Sequence, residues 1–423
     1  MTNGKHVPKR RFKEFESDGE WELKNLSSIA DIRDGTHSSP KYLEVGHPFI
    51  TSKNVANGFI SYEDIRYISD EDFNEINKRS KVDVHDILMG MIGTVGNLAL
   101  IRQTPSFAIK NVALIKYTGD VGYEFLYQAL QTSNVNRQLK DSIDGGTQKF
   151  ISLKKIRNLN IPFSNISEQL KIGKFFQTID SLITIHQHKL DKLKNLKKSY
   201  LAELFPAEGE RIPKRRFPGF EGEWEQDLLG NIVDFSIKTN SFSRENLTHK
   251  SYEVQNIHYG DILVKFQSVL DLKQDNLPSI IDSSVLDFRQ SLLQDGDVIF
   301  ADAAEDSTVG KAIEIRNVMS NNVVSGLHTI AARPRQLFAP YYLGYYLNSD
   351  TYHNQILPLM QGTKVSSISK SNLQVTEISF PKIDEQKQIG NFFKKLDQSI
   401  TLQQQKLDKL NDLKKAYLNE LFV

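Results

Sequence analysis

Cysteine is absent from all 423 residues, which excludes a disulfide scaffold, thiolate zinc sites and a cysteine nucleophile, and fits a reducing compartment. No stretch approaches the ~20 apolar residues of a membrane span. The opening, Met1 to Arg11, is polar and basic with no apolar core segment, so it does not read as a secretory signal. A soluble, cytoplasmic protein is the expectation. A surplus of either charge is missing too: 53 Lys and Arg face 52 Asp and Glu, a formal charge of +1. No overall basic field announces a nucleic-acid binder, and any such surface must be local.

Signatures of catalysis are also missing. There is no Gly-x-Gly-x-x-Gly, no phosphate-binding Walker loop, no His-Glu-x-x-His and no Gly-x-Ser-x-Gly. Nor is there an Asn or Asp followed by Pro-Pro and an aromatic, the motif an amino-methyltransferase carries over its target base. Asp302 with Glu314 resembles a nuclease pair only loosely, because position 316 is Arg. The ten histidines show no ligand spacing beyond His186 and His188, which point to different faces on a helix. The expectation is no catalytic residue and no metal site.

What is present is a repeat. Glu168 to Phe205 matches Glu385 to Phe422 in gapless register, with 23 of 38 positions identical. Upstream of each, Pro8-Lys9-Arg10-Arg11-Phe12 with Gly19-Glu20-Trp21 recurs as Pro213-Lys214-Arg215-Arg216-Phe217 with Gly222-Glu223-Trp224. Fainter echoes lie between, such as Gly146-Thr147 against Gly362-Thr363 and Thr94-Val95-Gly96 against Thr308-Val309-Gly310. A period of about 210 residues is too long for a solenoid unit and fits a whole domain plus a connector. The expected segments are an N-terminal stretch 1–20, a mixed domain 21–165, a helical connector 166–210, a second mixed domain 211–382 and a C-terminal helical connector 383–423.

In the first connector, apolar residues step by three or four: Ile172, Phe176, Ile179, Ile183, Leu190, Leu193, Leu196, Tyr200 and Leu204, with His186 in the series. The second gives Ile389, Phe393, Leu396, Ile400, Leu407, Leu410, Leu413, Tyr417 and Leu421, with Gln403 at the point equivalent to His186. A 38-residue helix rises about 57 Å and needs a partner for its stripe. Its own repeat is the obvious one, giving a coiled coil of two antiparallel helices. Upstream lie short β-rich runs, such as Val112 to Lys116 and Asp297 to Phe300, and one late helix each, Glu124 to Leu139 and Tyr341 to Ile356. The fold class is α+β: two mixed α/β domains separated by two long helices, in a pseudo-two-fold tandem repeat.

The informative polar residues sit in turns. In the first half, Thr36, His37, Lys53, Asn54, Thr94, Asn97, Gln148 and Lys149 offer hydroxyls, amides and ammonium groups of the kind that meet phosphates and base edges. Glycines at 93, 96, 145 and 146 would let backbone N–H groups approach a phosphate. The matching places in the second half hold Lys238, Asn240, Gln255, Asn256, Thr308, Lys311 and Lys364. It also carries an acidic run, Asp302-Ala303-Ala304-Glu305-Asp306, which would repel phosphate unless turned away.

These residues resemble a known family. Glu168-Gln169, Ile172-Gly173, Phe175-Phe176, Asp180, Lys189-Leu190-Asp191-Lys192-Leu193 and Leu204-Phe205, repeated from Glu385-Gln386 to Leu421-Phe422, look like the DNA specificity subunit of type I restriction-modification enzymes. The resemblance covers essentially the whole chain. It implies two target recognition domains, each reading one part of a split, asymmetric double-stranded DNA site. It further implies helical regions that set the spacing and dock two modification subunits, which carry S-adenosylmethionine and methylate adenine. Restriction subunits that use ATP and Mg join them, and no cofactor belongs to this chain. If the helices act as a ruler on one face of the duplex, half-site centres should lie about 34 to 36 Å apart. The rival reading is a coiled-coil scaffold that binds proteins rather than DNA.

Overall fold

The computed structural model describes residues 6–56, 58–146 and 149–423. The chain divides into two units, Met1–Gln187 with Gln405–Val423, and His188–Gln404. These units do not follow the sequence segments, because each long helix contributes to both.

The first unit runs β1 (Glu22–Asn25), β2 (Asp31–Asp34), β3 (His47–Thr51), β4 (Arg66–Ile68), α1 (Asp70–Ser80), β5 (Ile87–Gly90), β6 (Leu98–Leu100), β7 (Ala108–Lys110) and β8 (Val112–Lys116). Then come α2 (Tyr123–Ala129), α3 (Ser133–Ser142), α4 (Leu153–Arg157), β9 (Asn160–Phe163) and the start of α5 (Ile166–Glu203). Strands β2, β8, β5 and β6 form one antiparallel sheet; β4, β3 and β7 form another, in which β3 and β7 are parallel. Strand β9 returns to pair with β1 and closes the domain just before the long helix starts. β5 and β6 are buried along their whole length, as an apolar run between two covered faces requires.

The second unit repeats this plan with insertions: β10 (Glu225–Leu228), α6 (Leu229–Ile232), β11 (Val233–Asp234), β12 (Leu247–Thr248), β13 (Gln255–Ile257), α7 (Tyr259–Val264), β14 (Val269–Asp271) and β15 (Ser279–Ile280). It continues with β16 (Val298–Ala301), β17 (Ala303–Ala304), β18 (Ala312–Arg316), β19 (Val323–Ser325), β20 (Thr329–Pro334), α8 (Tyr342–Tyr346), α9 (Asp350–Ile356), β21 (Ser366–Ser367), α10 (Lys370–Gln374), β22 (Glu377–Phe380) and α11 (Ile383–Glu420). The parallel pair β13–β19 and the closing pair β10–β22 stand where β3–β7 and β1–β9 stand in the first unit. The single late helix expected in each half is broken in two. In the first half Thr132 turns the chain and accepts the Val135 N–H as an N-cap; in the second, Ser349 spends its hydroxyl on the Tyr346 carbonyl. Ser and Thr that bond nearby backbone compete with helix continuation.

Both long helices form over 38 residues. In the first unit Phe175 meets Tyr417 at 4.9 Å between ring centroids, and Asp180 pairs with Lys414 at 2.9 Å. In the second, Lys197 pairs with Asp397 at 2.6 Å and Tyr200 meets Phe392 at 4.8 Å. Numbers rise along one helix as they fall along the other, so the pair is antiparallel. Of the expected seam, Ile172, Phe176, Ile179, Leu190, Ile389, Phe393, Leu396, Ile400 and Leu407 are buried, and Ile183, Leu193 and Leu410 are half-buried. Leu196 and Leu413 depart from the expectation and remain 41% and 43% exposed. A second correction concerns what the stripe covers. Ile172, Phe176 and Ile179 lie in one core with Trp21 and Phe125, and Ile389 and Phe393 lie in another with Trp224 and Tyr342. The first turns of each helix thus dock on the domain that precedes them.

The repeated motifs explain that docking. Arg11 forms a two-pronged pair with Glu168, Nε to Oε1 at 2.7 Å and the second prong at 2.8 Å, with the carboxylate fully buried. Arg216 holds Glu385 identically, at 2.7 Å on both prongs. The glutamine after each glutamate is a clamp: Gln169 accepts the Gly122 N–H and donates to the Ser164 carbonyl, while Gln386 accepts the Ala339 N–H and donates to the Pro381 carbonyl. A buried bidentate pair of this kind fixes one arrangement.

Candidate nucleic-acid interface

The first domain gathers its exposed polar residues where β3, β5 and β7 end. Ser52, just past β3, accepts the N–H groups of Met91 and Ile92 at 3.0 and 3.2 Å and donates to the Asn111 carbonyl at 2.7 Å. Thr94 donates to the Ser52 carbonyl at 2.6 Å. The Gly93 N–H reaches the Lys149 carbonyl at 2.9 Å, and the Ile151 N–H reaches the Met91 carbonyl at 2.9 Å, which lays Lys149 and Phe150 beside the 93–97 loop. Gly93, Gly96 and Gly145 all adopt left-handed φ, at 74°, 87° and 94°. On the other side, the Thr36 N–H bonds Ile109, and His37 spans Asn111 Oδ1 at 2.7 Å and Asp34 Oδ2 at 3.0 Å. Gly35 is required there, since a Cβ would stand 2.4 Å from the Ile109 carbonyl oxygen.

Thr36, His37, Thr94 and Lys149 are therefore linked through one hydrogen-bonded edge, and Lys53 is exposed beside Ser52. Two expected contacts do not belong to it. Asn54 is 6% exposed and engaged in a capping box with Thr51, its amide donating to the Ser61 and Glu63 carbonyls. Asn97 is half-buried and donates to the Val55 carbonyl at 3.2 Å. Gln148 lies outside the described residues.

In the second domain more of the expected residues are structural. Asn256 is fully buried and accepts from Asn240, which also donates to the Ser325 carbonyl. Gln255 is half-buried, with its Oε1 sealed from solvent. Lys311 donates to the Leu263 and Phe266 carbonyls at 3.0 and 2.7 Å, closing the end of α7. Burial, then Lys197, pushes its ammonium below the usual lysine range. Thr308 turns its hydroxyl onto Asp306. Lys238 and Lys364 are exposed. Glu314 is buried, bonded by Arg316 and by the Tyr341 and Gly344 N–H groups, so it completes no nuclease pair.

Strand register identifies positions that the sequence comparison misaligned. Gly90 pairs with Val112 as Ala301 pairs with Thr329. Asn111 and His328 thus stand at equivalent places, one residue before the strand, with left-handed φ of 52° and 53°. Met91 corresponds to Asp302, and Ile151, which bonds Met91, to Ile368, which bonds Asp302. The left-handed glycines of the hairpins are Gly145 and Gly362, so Lys149 and Lys364 sit at different points of their turns. Thr51 caps the turn after β3 as His258 caps α7, and the Thr36 N–H bonds Ile109 as the Asn240 N–H bonds Ser325, so Thr51 corresponds to His258, and Gln255 and Asn256 fall within the strand. His258 is buried and caps α7 through Nδ1; burial, then Arg244, lowers its pKa. The missed residues, Asn111 and His328, carried a signal: Asn and His tolerate the left-handed region better than most side chains.

Around His328 the second domain builds a polar cluster. Its Nδ1 lies 3.2 Å from Asp302 Oδ1, and its backbone carbonyl accepts the Asp302 N–H at 3.1 Å. The Tyr259 ring meets the imidazole edge-on at 5.2 Å. Burial raises the Asp302 carboxyl, opposed by His328. Among the described residues no group of three or more His, Asp and Glu could hold a metal, and no helix is long and apolar enough to cross a membrane.

Two α+β domains, each joined to a long helix through the same buried Arg–Glu pair and each displaying a different set of polar loop ends, form a duplicated recognition architecture. The family model for the type I restriction modification DNA specificity domain matches residues 18–195 and again 221–412, and the chain belongs to that family. A putative type I restriction enzyme MjaX specificity subunit from Methanocaldococcus jannaschii is 21% identical, over 95% of this chain and 92% of that protein. The MjaVIII specificity subunit of the same organism is 22% identical, over 90% and 89%. Among solved structures, a type I restriction-modification S subunit from M. genitalium shares the fold with a TM-score of 0.64 at 14% identity, covering 99% of both chains.

Proposed function

We propose that this specificity subunit reads a bipartite, asymmetric DNA site, one half with each recognition domain. The observation that carries the reading is the contrast between the two halves. The framework is duplicated residue for residue at Arg11–Glu168 and Arg216–Glu385, while register-equivalent edge positions differ in chemistry: Asn111 against His328, Met91 against Asp302. A repeated frame with divergent edges suits two readers of different sequences. In the first domain Thr36, His37, Lys53, Thr94 and Lys149 are the proposed DNA contacts; in the second, Lys238, Thr308 and Lys364, Asn240 being spent on Asn256, Ser325 and Phe242. Lysines there set affinity through phosphates, and hydroxyl and imidazole groups set sequence.

The helices, in this reading, fix the gap between half-sites and dock two adenine-methyltransferase subunits. Their exposed apolar residues recur at equivalent positions, Ile185 with Leu402 at 60% and 53%, and Leu196 with Leu413, as two copies of one partner require. Methyl transfer with S-adenosylmethionine, and ATP- and magnesium-dependent cleavage, then belong to the partner subunits, and this chain takes no catalytic step. Sequencing the methylome of a host with and without the chain tests the reading. A split adenine-methylated motif should appear only with it, and an unchanged methylome would leave the protein-binding scaffold as the better account.

A further inference from the structure

His328 is an exposed imidazole held from several sides. Its side chain is 51% exposed, yet Asp302 bonds Nδ1, the Asp302 N–H bonds its carbonyl, and the Tyr259 ring braces its edge. The backbone at φ 53° is a region that costs free energy for a residue with a Cβ. An exposed side chain gains little stability from being fixed this way, since its conformational entropy is lost without burial. Preorganisation of this kind lowers the cost of meeting a ligand.

The polar atoms left to meet a ligand are acceptors. A carboxylate has only acceptors, so Nδ1 is the donor in the His328–Asp302 bond. In the neutral ring the exposed imidazole's Nε2 then carries a lone pair. A lone-pair acceptor held beside a carboxylate repels phosphate. In the major groove it matches an exocyclic amino group, N6 of adenine or N4 of cytosine, and mismatches the oxygens of guanine and thymine. The register-equivalent Asn111 spends one end of its amide on His37 at 2.7 Å and presents an amide where the second domain presents an imidazole.

Resting on the reading of the chain as a DNA specificity subunit, we propose that positions 111 and 328 determine sequence specificity. His328, positioned by Asp302 and Tyr259, reads an adenine or cytosine amino group in the half-site of the second domain. The test is to express His328→Asn, which installs the residue the first domain uses at this left-handed position, and Asp302→Asn, of nearly equal size. Methylomes are compared with wild type, and the assembled methyltransferase complexes are titrated against a duplex panel varied one base pair at a time. The expected result is loss of discrimination at one base pair of one half-site, about 5- to 150-fold, with the other half-site and the gap unchanged. Equal discrimination by the variants and the wild type overturns the proposal, as does equal weakening on every duplex. A wild-type chain that directs no split motif would instead defeat the underlying reading.

Discussion

Lys149 and Lys364 stand exposed on the two hairpins that flank the candidate edges, and they test the electrostatic part of the interface residue by residue. Each Lys→Ala change should weaken binding of the assembled complex to all duplexes alike and reduce the salt slope by about 0.9, read from titrations across ionic strength. An unaltered slope would remove that lysine from the phosphate-contacting set. The two tryptophans give a second comparison. The Trp21 indole N–H donates to the buried Glu168 carboxylate at 3.0 Å, whereas Trp224 Nε1 is buried with no partner among the described residues. Trp21→Phe should therefore cost about 1.5–3 kcal/mol more than Trp224→Phe, the range for a bond to a charged acceptor, measured by hydrogen exchange within each unit. The sequence displayed both tryptophans in one motif but could not show this difference. Likewise it offered Asn54, Asn256 and Lys311 as exposed polar groups, because an amide that caps a turn and one that meets DNA have the same letter.

At the scale of elements, the long helices were legible down to their length, since a three-four apolar step over ten turns leaves no other structure. What the stripe packs against was not legible. The same periodicity serves a helix partner and a domain core, and only the fold separates Phe176, docked on Trp21 and Phe125, from Tyr417, docked on Phe175. Just past each long helix, Phe205 and Phe422 sit 5.4 Å from Tyr346 and 5.2 Å from Phe125 between ring centroids. Phe422→Ala should destabilise the first unit and Phe205→Ala the second, each by about 3–5 kcal/mol. Hydrogen exchange resolved by unit checks this, and equal loss in both units from either change would contradict it. The broken helices at Thr132 and Ser349 escaped the periodicity because each break spans only three residues, 130–132 and 347–349, and an apolar pattern carries across so short a gap.

For the whole molecule, the ruler proposal has its own test. Four residues inserted after His188 and after Gln405, just over one helical turn in each repeat, add about 6 Å of rise, between one and two steps of duplex. The preferred gap between half-sites should lengthen by one to two base pairs, read from the methylome; an unaltered gap would sink the ruler. The near balance of 53 cations and 52 anions carries a second expectation. The isolated chain should shift duplex DNA weakly in gel electrophoresis and tightly only with its modification subunits, because the exposed lysines at its candidate edges are few and the cations elsewhere are balanced by anions.

The division of the chain into units also sets an order of events at birth. Tyr417, Leu421 and Phe422, which finish the core under Trp21, leave the ribosome only after every residue of His188–Gln404. At 5–20 residues per second this delay lasts roughly 10–40 s. The half synthesised first is the half completed last, and a nascent chain stalled or clipped in its final turn of helix would carry a finished second reader beside an unfinished first.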